Sequence, residues 1–287
     1  MEIKYTTLGQ FIFAALGAYL LAFILSTLDG LLQSLNKVKG SRLLGAILSI
    51  LQLRKIGSFF YLVGFLGAVS AFIYRWYDVG HIPIRNLFEV FITLGMLIYP
   101  LTFFSKKVLR TGGESFDMLL GAALLFPAGF IFPQIYQDTP PILQNPLFIP
   151  HVAFYMLAYI FMAKAGFQAV LEIFRFRYKP NLNLLEPEEA SFRLICAGFP
   201  LLTLGFVMGS IWAKLAWGRL WGWDPKEMWS LACLLIYAGY FLFRFMFGKK
   251  YPRLNSVWIL AGVTAIILTL TWANLSKLFP GLHNYAM

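Results

Sequence analysis

The chain has 287 residues, 59% of them hydrophobic and only 13% charged. So apolar a composition excludes a water-soluble globular domain and places the chain among membrane proteins. The net charge of +11 would suit a nucleic-acid binder, but the basic residues are distributed as membrane topology requires, so no nucleic acid is expected among the partners.

Crossing a hydrocarbon core of about 30 Å takes about 20 helical residues. Apolar runs of this kind occur eight times: 8–28, 57–74, 87–104, 116–132, 151–172, 194–212, 228–247 and 256–275. The first follows Glu2 and lacks a small-residue cleavage site, so it reads as a retained span rather than a signal peptide. The break at 29–56 is basic and partly apolar, with room for an interfacial helix around 41–53. Segments 29–56, 105–115, 173–193 and 244–255 hold sixteen of the 24 lysines and arginines, against seven on the other side. By the positive-inside rule these four segments are cytoplasmic and both termini face out. The expectation is an all-α, polytopic protein forming a single membrane domain over 1–287, with its function in the outer segments 75–86, 133–150, 213–227 and 276–287.

Within the spans, Glu89 stands four residues after Arg85, where an i,i+4 pair would satisfy both. Lys164 lies 13 residues beyond His151, about 20 Å along a helix, placed to snorkel toward the cytoplasmic interface. Cys196 and Cys233 lack Cys-x-x-Cys spacing and read as small buried apolar residues.

The chain has three histidines, His81, His151 and His283, and this topology puts all of them on the outer face. On the same face, residues 212–229 hold five of the eight tryptophans. Such density exceeds what interfacial anchoring needs and makes a flat π surface suited to a planar ligand such as a porphyrin. Trp76, Trp258 and Trp272 read as anchors. Neutral imidazoles ligate haem iron axially, and His151 and His283 can supply a pair if spans five and eight flank the loop between six and seven. Asp224 reads as the N-cap of span seven, with Pro225 in its first turn and Glu227 adding negative charge at the positive helix end. Arg219, Lys214 and Lys226 are either solvated loop charges or partners for ligand carboxylates such as haem propionates.

The segment Trp217-Gly-Arg-Leu-Trp221-Gly-Trp223-Asp224-Pro225-Lys226-Glu227-Met228-Trp229-Ser230-Leu231 resembles the WWD signature of haem-handling proteins in cytochrome c maturation. Gly80-His81-Ile-Pro83-Ile-Arg-Asn86-Leu-Phe-Glu89, His151-Val152 with Met156 and Tyr159, and Gly281-Leu282-His283-Asn284-Tyr285 resemble further segments of one branch, the CcsA (ResC) component of the system II cytochrome c synthase. The similarity runs over most of 75–287. It implies that His151 and His283 are axial ligands of haem b, with Trp217, Trp221, Trp223 and Asp224 in the loop that holds it. It further implies presentation of haem outside the cytoplasm to the Cys-x-x-Cys-His motif of an apocytochrome c, where thioethers form. The implied partners are a CcsB (ResB) membrane subunit and a thiol-reducing system, in a bacterial plasma membrane or a plastid thylakoid. The alternative function is a haem exporter or chaperone without lyase activity. One position departs from the family: a histidine two residues before an arginine in span seven is replaced by Leu242, ahead of Arg244. His81 has no clear ligand role in the family.

Overall fold

The computed structural model describes residues 6–39, 52–134, 141–176 and 183–270. Eight long α-helices follow in order: α1 (Thr7–Lys39), α2 (Leu53–Val79), α3 (Leu87–Lys107), α4 (Glu114–Phe130), α5 (Phe148–Ile173), α6 (Pro187–Trp217), α7 (Pro225–Phe247) and α8 (Pro252–Leu270), with a 3-10 turn at Pro141–Gln144. Seven are long and apolar enough to cross a membrane, and α4 has 17 residues. No strand occurs among the described residues. In a bilayer this is the expected outcome, because a helix satisfies its backbone hydrogen bonds within one segment.

The helices overrun the apolar runs. α1 continues eleven residues past the expected end at Leu28, and Gln33 Nε2 donates to buried Asp29 at 2.7 Å inside that extension. The interfacial helix expected around 41–53 lies almost wholly outside the described residues.

The chain divides into two compact units. The first comprises residues 1–83, 87–102 and 114–136. Its core joins Leu8 and Ile12 of α1, Ala71 of α2, Phe88 and Ile92 of α3 and Ala128 of α4. Tyr19 lies against Gly64 and Gly121, with its hydroxyl donating to the Gly95 carbonyl at 3.0 Å. The charge on Glu89 is met by Arg75, whose Nε and Nη2 donate to the same carboxylate oxygen at 3.1 and 2.9 Å. Both side chains are fully buried, and this partner of Glu89 comes from the preceding helix, a pairing that the i,i+4 spacing from Arg85 did not announce. His81 follows Gly80, the left-handed cap of α2, and its Nδ1 lies 3.0 Å from the neighbouring Ile82 carbonyl. The same turn is fixed by Thr93 Oγ1 donating to the Pro83 carbonyl at 2.6 Å.

The second unit comprises residues 84–86, 103–113 and 137–287. Small residues bring its helices together: Gly198 and Gly205 of α6 receive Phe161 and Tyr155 of α5, Gly166 of α5 receives Val263 of α8, and Gly262 of α8 receives Tyr237 of α7. Such close approach is the usual basis of helix packing in lipid, where apolar burial drives nothing. At one end, Arg244 of α7 pairs with Glu188 and Glu189 of α6, and Asn255 Nδ2 of α8 donates to Glu188 at 3.0 Å.

Lys164 does not snorkel. It is only 3% exposed, because its helix α5 is enclosed by neighbours. Of the two free cysteines, Cys233 is buried as expected, while Cys196 is exposed on the outer surface of α6.

Candidate functional site: a histidine socket beside a tryptophan turn

Helix α5 begins at Phe148, with Pro150 in the first turn where no backbone N–H is needed, so His151 stands at the helix entrance. Its Nδ1 lies 2.7 Å from the carbonyl oxygen of Gly205 on α6. A carbonyl only accepts, so Nδ1 carries the proton and donates. In the neutral ring Nε2 then holds the lone pair that can bind a metal. The ring stacks on Trp212, with centroids 6.0 Å apart and planes at 18°, and meets Tyr155 edge-on at 5.1 Å. Trp212 is fully buried and touches Phe148 and Trp217 at 5.6 and 5.0 Å between centroids.

The tryptophan segment is mostly helical, against the expectation of a loop over 213–227. α6 runs through Ala213-Lys-Leu-Ala-Trp217, residues with good helix propensity, and stops at Gly218, whose φ of 75° provides the left-handed cap. Only 218–224 lie between α6 and α7. Trp217 therefore ends a helix, while Trp221 and Trp223 belong to a tight turn. Trp221 packs on Phe206 at 5.6 Å and meets Trp223 at 5.8 Å, edge to face.

Asp224 caps α7 as its sequence context predicts. Its Oδ1 accepts from Lys226 N at 2.9 Å, and Glu227 completes a capping box. Glu227 also does something the sequence does not announce. Its Oε2 accepts from the backbone N–H groups of Gly222, at 2.7 Å, and Asp224, at 3.2 Å, the residues on either side of Trp223. Between these bonds Trp223 adopts φ 57°, a left-handed conformation rare for a bulky residue, and its indole is 70% exposed. Arg219 is exposed, its guanidinium within 3.0 Å of where a Cβ of Gly222 would stand, and Lys226 is half-buried.

His151 is thus brought together with Trp212 and Trp217, while Trp221 and Trp223 occupy the turn that follows. α8 packs against α5 and α7, and Thr269 near its end lies 3.6 Å from Cys233 of α7. His283 and Trp272 lie outside the described residues. His81 belongs to the first unit. Among the described residues, no cluster of three or more metal-ligating side chains occurs. Gly205 and Gly209 are the site residues that the sequence did not announce, and Trp212, counted in the tryptophan cluster, proves to be the residue on which His151 stacks. The three stand at i, i+4 and i+7 on α6, a spacing that puts them on one helix face but does not say what that face meets.

Fold and site together define a multi-pass helical membrane protein that carries an oriented imidazole and an indole-lined turn at one end of a helical unit. The model of the family described as Cytochrome C assembly protein matches residues 12–283, and the chain belongs to that family. It is 32% identical to the cytochrome c biogenesis protein CcsA of Prochlorococcus marinus strain NATL1A, over 75% of this chain and 80% of that protein. It is 30% identical to CcsA of Synechococcus sp. strain RCC307, over 74% and 79%. With CcsA of Chlamydomonas reinhardtii the identity is 29%, over 74% of this chain and 63% of that protein. The chain accordingly acts in cytochrome c biogenesis.

Proposed function

We propose that this chain delivers haem b, as cargo, for covalent attachment to apocytochrome c, with His151 and His283 as the axial ligands of its iron. The observation that supports this most is the 2.7 Å bond from His151 Nδ1 to the Gly205 carbonyl. Histidines that bind metals commonly donate their second nitrogen in this way, which fixes the tautomer and raises the basicity of the ligating one. Trp217, Trp221 and Trp223 offer indole faces to the macrocycle, and Asp224 with Glu227 holds their turn in shape. Arg219 and Lys226 meet the propionates.

The chain's contribution to attachment is positioning. Each thiol of an apocytochrome Cys-x-x-Cys-His motif adds its sulfur and hydrogen across a vinyl group, so atoms and electrons balance without an oxidant, provided the thiols arrive reduced. Holding the acceptor in one orientation makes an improbable encounter effectively unimolecular. A CcsB (ResB) subunit and a thiol-reducing system complete the assembly, with the His151 end on the outer side of a bacterial plasma membrane or in the thylakoid lumen.

Reconstituting cytochrome c maturation from this chain, a CcsB-type partner and an apocytochrome tests the proposal. Covalent haem is expected in the absence of any other lyase. Haem retained by the chain without covalent product would instead indicate an exporter or chaperone.

A further inference from the structure

The His151 imidazole is received by one face of α6, on which Gly205, Gly209 and Trp212 follow one another at i, i+4 and i+7. A Cβ added at Gly209 would lie 2.4 Å from Cε1 and 2.7 Å from Nδ1 of the ring. Non-bonded carbons do not come that close, so the ring occupies the space a side chain at position 209 would fill. The neighbouring contacts depend on the same clearance. In that place the ring both reaches the Gly205 carbonyl at 2.7 Å and stacks on Trp212 at 18°.

We infer that Gly209 is a positioning residue for haem binding, acting through His151. The inference rests on the ligand reading of His151 given above. A methyl group at 209 pushes the imidazole off α6, breaks its bond to Gly205 and leaves the proton free to occupy either nitrogen. The displaced group is the far end of a rotatable side chain, so α5 and α6 keep their packing and the protein still folds. Gly205 contributes differently, because a Cβ there meets the Tyr155 ring at 3.0 Å, a contact that a small shift relieves. Gly209 is therefore the more sensitive of the two.

The experiment titrates hemin into the purified full-length protein and its Gly209→Ala, His151→Gly and doubly substituted forms, recording affinity, ferric visible spectrum and thermal melting. Removing the support of a metal ligand typically costs about 10–100-fold in affinity. That loss is expected for Gly209→Ala, with weakening of the low-spin bands and an unchanged melt. In the His151→Gly background the same substitution should cost nothing further, since no ring remains to collide with. Gly17→Ala on α1, where a Cβ meets nothing within 4 Å, is the neutral control. Wild-type affinity in Gly209→Ala, or an equal loss in both backgrounds, would overturn the positioning role. Wild-type affinity in His151→Gly would instead remove the ligand reading beneath it.

Discussion

At Trp223, chemistry and conformational cost can be separated. A bulky residue in the left-handed region costs about 1–2 kcal/mol, and here Glu227 holds it by accepting from the N–H groups on both sides. The indole is mostly exposed, so removing it forfeits little burial. Trp223→Gly should therefore leave the melting temperature unchanged or slightly raised, although deleting a tryptophan normally destabilises, while hemin retention falls. A marked drop in melting temperature would show that the ring is structural and the backbone unstrained. The cap of α7 was legible because Asp224-Pro225 with Glu227 three residues past the cap follows local rules. The clasp on Gly222 was not, because it depends on the path of the turn.

At the scale of elements, the number and order of the long helices among the described residues were legible from apolar run length. Their ends were not. α6 begins seven residues before its apolar run and continues to Trp217, because Glu188 and Glu189 suit a helix N-terminus and Ala213 to Ala216 propagate a helix as well as apolar residues do. The site accordingly consists of a helix face and a short turn rather than a long loop. The His151–Gly205 bond spans 54 residues and joins two helices through a glycine. Glycines in a membrane helix signal close packing in general, so their positions alone do not tell Gly209, which faces an imidazole, from Gly198, which faces Phe161.

For the molecule as a whole, the charges within the second unit concentrate at the end remote from His151, where the buried Glu188 and Arg244 pair and Glu189 also binds Lys249 at 2.8 Å. Breaking such a pair strands a buried charge at a cost of about 3–5 kcal/mol. Arg244→Leu should lower the thermal stability correspondingly, and Glu188→Gln in the same chain should recover part of the loss; no recovery would mean that Arg244 acts by packing on Phe192, over which its guanidinium lies at 4.0 Å. Two residues earlier, Leu242 is 61% exposed, so the position where the family has a histidine faces away from the helices that enclose Arg244. The most direct test of the account concerns the iron itself. Ferric protein purified from membranes, examined by visible and electron paramagnetic resonance spectroscopy, should be six-coordinate and low-spin; His151→Ala should become five-coordinate and high-spin, returning to low-spin when imidazole is added. A His151→Ala variant that keeps the low-spin spectrum of the native chain would contradict the account.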